Sequence, residues 1–148
     1  AGELYIGFPI AEVITNTRLA PGAKDHIGEL QAWDIKTGKL AWTHNFKDQL
    51  WTPLMATGGG LVFAGGTPDR KFRAFNAKTG KLLWETNAPS GVIGVPSSYE
   101  VDGEQYIAVQ AGWGVDAQRL AGAIDNVKGT TTLVPQGGTL MIYKLPKK

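Results

Sequence analysis

Apolar and polar positions alternate along the chain in short runs broken by turns, and one run repeats. Ala32-Trp33-Asp34-Ile35-Lys36-Thr37-Gly38-Lys39-Leu40-Ala41-Trp42 returns as Ala74-Phe75-Asn76-Ala77-Lys78-Thr79-Gly80-Lys81-Leu82-Leu83-Trp84, with seven of eleven positions identical at an offset of 42. A period near that length fits a four-stranded propeller blade of roughly 40–45 residues. No long segment has the 3.6-residue apolar spacing that a helical repeat requires. The unit between the motifs reads as four strands: 52–57; the apolar run 61–64; 70–76, where Arg70, Phe72 and Ala74 alternate with Lys71, Arg73 and Phe75; and 81–87. Gly58-Gly59-Gly60 and Lys78-Thr79-Gly80 are the turns, because glycine accepts a positive φ.

The flanks follow the same scheme. Residues 3–8 read as a second strand, 29–34 as a third and 39–45 as a fourth; 92–99, 105–110 and 139–144 read as the first three strands of another blade. The predicted fold is therefore all-β, a partial β-propeller of four-stranded antiparallel blades in an incomplete ring. Residues 1–47 form an incomplete blade with an excursion over 9–28, residues 48–88 a complete blade, and residues 89–148 a last blade with an excursion over 115–137 and no fourth strand. Propellers close with about 4–8 blades, and an open arc exposes strand edges. The rest of the ring is thus expected from another chain or a cleaved segment. Within 115–137, Leu120, Ile124 and Val127 have helical spacing and Asp116 suits a cap, so a short helix over 116–127 is a further expectation.

Blade connectivity sorts the loops. The tight turns fall at one end of the blades. Both excursions, the inter-blade segments around Trp51 and Ser90, and Gly112-Trp113-Gly114 gather at the other. Long loops on one end of a rigid scaffold are where binding sites sit, which makes Trp51 and Trp113 candidate site residues.

Composition narrows the classes. Gly 20 and Pro 8 suit a turn-rich β chain, and 43% hydrophobic residues supply a core. The net charge of +2 gives no nucleic-acid footprint. With Cys 0, no disulfide scaffold, Cys-ligated metal or Cys nucleophile is available. No apolar run is long enough for a membrane span. Residues 1–6 lack the basic and apolar regions of a signal peptide, so the chain is expected to be cytoplasmic or to have its export signal outside these residues. His26 and His44 read as surface histidines, Asp48 as a turn former, Asp102 and Glu104 as turn and solvent, and Arg70, Lys71 and Arg73 as a solvated strand face. Trp42 and Trp84 are expected to stack between blades, and Trp33 to lie at the surface or between blades.

The paired repeat resembles the tryptophan-docking repeats of quinoprotein dehydrogenases that use pyrroloquinoline quinone (PQQ). Leu50-Trp51, then 56–63, Ala88-Pro89-Ser90-Gly91 and the residues to Pro96, 102–109, Gly112-Trp113-Gly114 and 136–140 are similar in order to the C-terminal part of the methanol/alcohol dehydrogenase branch. The resemblance implies an eight-bladed propeller whose last blade is closed by an N-terminal strand, and a periplasmic enzyme that passes hydride from a small alcohol to PQQ. It implies Ca²⁺ or a lanthanide as Lewis acid, a carboxylate base, and a cytochrome c as electron acceptor. The metal ligands, catalytic Asp and vicinal Cys pair of that family lie upstream of the matched region, so this chain by itself is expected to be inactive. By the same resemblance Trp51, Gly112, Trp113 and Gly114 bind cofactor, and Gln118 and Leu120 wall the alcohol pocket. A non-catalytic docking-repeat scaffold of the outer-membrane assembly type is the alternative, and a lectin-like or peptide-binding propeller a third. Tryptophans and glycines converging at one end favour the enzyme.

Overall fold

The computed structural model describes residues 18–23 and 26–146. The strand expected at 3–8 and most of the excursion over 9–28 lie outside the described residues. In chain order the elements are β1 (Gly28–Asp34), β2 (Lys39–Phe46), β3 (Met55–Ala56), β4 (Leu61–Ala64), β5 (Lys71–Asn76), β6 (Leu82–Asn87), β7 (Ser97–Val101), β8 (Glu104–Ala111), α1 (Val115–Lys128) and β9 (Thr139–Lys144). The strands form three antiparallel sheets, ordered β1-β2, β3-β4-β5-β6 and β7-β8-β9. Among the described residues the elements are nine strands and one helix; they make part of a propeller and close no ring.

The repeat specifies its turns side chain by side chain. Asp34 Oδ1 accepts from the N–H groups of Lys36 and Thr37 at 2.8 and 2.9 Å. Asn76 Oδ1 does the same for Lys78 and Thr79 at 2.9 and 3.0 Å. Gly38 and Gly80 follow with φ of 65° and 68°, a conformation that costs other L-residues about 1–2 kcal/mol. Both hairpins also shift register at the same repeat position, between Ala32 and Trp33 and between Ala74 and Phe75.

The sheets are joined by docked aromatics. The Trp42 indole N–H donates to the Ala77 carbonyl of the next sheet at 2.9 Å. Its ring lies so close to Gly80 that a Cβ there would stand 2.6 Å from it. Below that contact Leu30, Phe46, Ala64 and Phe75 fill the space between the first two sheets. Phe63, Phe72, Ala74, Val92, Ile107 and Val109 do so between the second and third. β5 serves both interfaces because its side chains alternate. Phe72 stacks on Phe63 and on Tyr143 of β9, with centroids 5.6 and 5.9 Å apart. Trp84 also reaches the third sheet, edge-on to Tyr143 at 5.1 Å. Trp33 is largely exposed, and its N–H donates to Gln31.

Several expectations change. The first strands of the second and third sheets are shorter than predicted, Met55–Ala56 and Ser97–Val101. The helix expected over 116–127 is α1, 14 residues long and one residue longer at each end. Arg73 is no solvated strand residue: it is 6% exposed, because the neighbouring sheet covers that face. It pairs with Asp69, lies 3.4 Å from Glu85, and stands 5.4 Å over the Phe46 ring. A charge of this kind is tolerated inside only with such partners. Burial pushes the Asp69 carboxyl up, but hydrogen bonds from Arg73 and Thr67 outweigh it and hold it below its ordinary value. His44 is half-buried, edge-on to Phe46 and Phe75 at 4.9 and 4.8 Å. Burial first, and the Arg73 charge second, hold it below the usual histidine value. His26 pairs with Glu29 at 2.9 Å.

The docking contact makes two substitutions informative. Gly80→Ala adds left-handed strain and a clash with the indole, and is expected to lower stability by about 2–4 kcal/mol. Trp42→Phe keeps a ring but strands the Ala77 carbonyl, at about 1–2 kcal/mol. Urea unfolding of the purified variants measures both. The His44 environment predicts acid lability. Its folded pKa lies below the unfolded value of 6.5, so its contribution is complete above that pH and is lost as the pH falls. The melting temperature should therefore drop more steeply from pH 7 to 5 in the wild type than in His44→Phe, as read by thermal melts across that range.

Candidate functional site

The loop-rich end is assembled by backbone contacts between successive inter-blade segments. The Trp51 N–H donates to Gly66 O at 2.9 Å. Next to it, Gly65 is pressed against Val92, where a Cβ would stand 2.6 Å from the valine Cβ. Val92 bridges Gly112 as a short parallel pair, and the Gly112 N–H donates to Gly91 O at 2.6 Å. Gly91 lies flat under the Trp113 ring, which leaves no room for a side chain there. This ladder sets Trp51 and Trp113 at the same end of the blades, as connectivity alone predicted.

A cleft of about 310 Å³ opens there. Three segments line it: Ile93 and Gly94, the run from Gln110 to Gly114, and Gly137 with Gly138. Five of its nine residues are glycines, so its walls are mainly peptide groups with the Trp113 indole behind them. Peptide edges offer both donors and acceptors to a flat, oxygen-rich ligand. The size is at the lower bound for small-molecule sites.

The sequence-derived candidates separate here. Gly112, Trp113 and Gly114 line the cleft. Trp113 is 2% exposed and its indole N–H donates to Gln118 Oε1 at 3.0 Å, so it offers a wall and no free donor. Trp51, 43% exposed, stands at the same end outside the cleft lining. Gln118 and Leu120 do not line it either: Gln118 is turned toward Trp113 and donates to Thr132 O at 2.9 Å. Gly94, Gly137 and Gly138 were not singled out as site residues, although the Gly-Gly pair lies in the matched series and was the available signal.

The helix and the strap after it are firmly held. α1 is flanked by Gly114 at its N-cap and Gly129 at its C-cap, the latter in the left-handed conformation. Ala117, Ala121, Trp113 and Val134 form a small core beneath it. Asp125 accepts from Thr130 Oγ1, from the Thr132 N–H and from Thr132 Oγ1, at 2.6, 2.6 and 2.8 Å. Ser90 Oγ donates to Pro135 O at 2.6 Å. Lys128 pairs with Asp48 at 2.8 Å, so Asp48 anchors the helix rather than merely shaping a turn. Among the described residues no three His, Asp or Glu side chains converge as a metal site.

The family described as "Glucose/ethanol/alcohol dehydrogenase, beta-propeller domain" matches residues 49–107. The quinoprotein ethanol dehydrogenase of Pseudomonas putida is 44% identical over 145 residues, covering 98% of this chain and 22% of that protein. A europium-containing methanol dehydrogenase of known structure is similar with a TM-score of 0.65 and 34% identity, over 84% of this chain and 24% of that one. A quinohaemoprotein alcohol dehydrogenase from Pseudomonas putida HK5 gives a TM-score of 0.60 and 34% identity, over 79% of this chain and 16% of that one. The chain spans about a fifth of the length of the curated relatives it matches. Docked antiparallel sheets, a tryptophan repeat and these likenesses agree: the chain belongs to the β-propeller family of quinoprotein alcohol and methanol dehydrogenases.

Proposed function

We propose that the protein to which this chain contributes oxidises a small alcohol to an aldehyde with PQQ as hydride acceptor, and that this chain supplies propeller blades and one wall of the quinone and substrate pocket. The observation that carries the reading is the glycine-walled cleft backed by Trp113, at the same end as Trp51. A scaffold propeller has no need of a cleft cleared of side chains. The residues fit a planar quinone in chemistry: glycine peptides let a flat ring approach closely, and an indole face suits its π-system. The chemistry the quinone supplies when bound is acceptance of a hydride from the alcohol carbon.

In this reading the chain's residues bind and orient. Gly112 and Gly114 clear the rim, Trp113 forms the apolar backing, and Trp51 adds a half-exposed indole for the quinone's polar edge. The resemblance puts the metal's ligands and the general base in parts of the protein outside the matched residues; among the described residues no three His, Asp or Glu side chains converge. The periplasm as location and a cytochrome c as electron acceptor complete the proposal. No helix among the described residues is long and apolar enough to cross a membrane.

The test is the absorption spectrum and dye-linked alcohol oxidation of the complete protein, reconstituted with PQQ and Ca²⁺ or a lanthanide. A quinone band with turnover supports the reading. A complete ring with neither supports the scaffold. Trp51→Ala is expected to weaken PQQ retention about tenfold, equivalent to about 1.4 kcal/mol, and Trp51→Phe less, as titrated by reconstitution of activity with PQQ.

A further inference from the structure

The geometry points to Gln118 as a positioning residue that fixes the spacing between the two glycine walls of the cleft, a role that rests on the cleft being the quinone and alcohol site. Gln118 lies in the first turn of α1, with its backbone N–H bonded to Gly114 O at 3.1 Å. Both ends of its side-chain amide are engaged. Oε1 accepts from the Trp113 indole at 3.0 Å, and Nε2 donates to Thr132 O at 2.9 Å. Trp113 belongs to one wall. Thr132 belongs to the strap that continues to Gly137 and Gly138, the facing wall. Among the described residues, Gln118 is the one side chain that hydrogen-bonds to both.

The chemistry of the two partners restricts what can do this. An indole N–H only donates and a peptide carbonyl only accepts, so the bridging group needs an acceptor and a donor on one rigid head. A primary amide has both. A carboxylate keeps the first bond and sets an oxygen against the Thr132 carbonyl. An apolar side chain loses both, leaving a nearly buried indole N–H unpaired. The walls also meet directly where Gly112 faces Gly137 O, a contact that a Cβ would close to 2.8 Å. A loosened strap therefore changes the cleft's width at the cofactor rim. Displacements of about 1 Å at a binding wall can change rates by as much as about 10²-fold.

The test uses the complete PQQ-loaded protein with Gln118→Leu and Gln118→Glu. Quinone content, alcohol kinetics and hydrogen exchange of peptides covering 130–138 are measured together. In Gln118→Leu the expected result is faster exchange across the strap and a rise of about five- to tenfold in the alcohol KM, with kcat per bound quinone changed less. Gln118→Glu is expected to show the faster strap exchange with a smaller rise in KM, and it carries the test if the leucine variant does not fold. A purely structural role would lower the amount of loaded enzyme and leave KM unchanged. Unchanged KM or unchanged strap exchange, with the wild type loaded and active, overturns the positioning role and leaves the site reading intact. A wild-type protein with neither quinone nor turnover overturns both.

Discussion

One contact is the condition for the rest: the Trp42 indole from one sheet seated on the turn of the next. Trp42 closes the first interface with a hydrogen bond to Ala77 O and a flat approach to Gly80. The turn must present a carbonyl outward and a position without a side chain beside it. Asn76 and Gly80 meet those needs together, the first by bonding two N–H groups of the turn and the second by its left-handed backbone. The repeated Asp/Asn, Thr-Gly-Lys and Trp are therefore one device distributed over two sheets. With the indole in place, Phe46, Phe75 and Leu30 pack below it, and the sheet axes are fixed well enough for loops at the far end to meet.

The site is a consequence of that stacking. Inter-blade segments approach one another at the loop-rich end through peptide groups, from Trp51 to Gly66, from Gly65 to Val92, and from Gly91 to Gly112 and Trp113. Close backbone packing of this kind is possible because side chains are missing where the segments touch. The same lack of side chains forms the cleft. Rigidity there comes from side chains that point away from it: Asp125, Ser90 and Gln118 hold the strap, and Lys128 reaches back to Asp48.

The buried Arg73 and its more exposed carboxylate partners belong to the architecture. Arg73, Asp69, Thr67 and Glu85 form a network against the first sheet, with the guanidinium over Phe46. Its benefit is local order: Thr67 and Asp69 hold the loop that carries Gly66, the partner of Trp51. Electrostatics of this kind support the site from one interface away and need no role in its chemistry.

The amino-acid sequence alone determined the blade repeat, the chemistry of its turns, the alternation that makes β5 a two-sided core strand, and the end at which Trp51, Trp113 and the glycines gather. These follow from local rules, since strand periodicity, turn residues and connectivity act over a few positions. The helix was also legible, from Leu120, Ile124 and Val127. Tertiary structure decided what the sequence left open. Arg73 and His44 read as solvated until a neighbouring sheet covered them. Gln118 read as a pocket wall until its amide was found bridging Trp113 and Thr132. Lys128 and Asp48, 80 residues apart, had no local sign of pairing. In each case the partner comes from a different sheet or loop, and only the stacking of sheets through the docked indole sets which groups face one another.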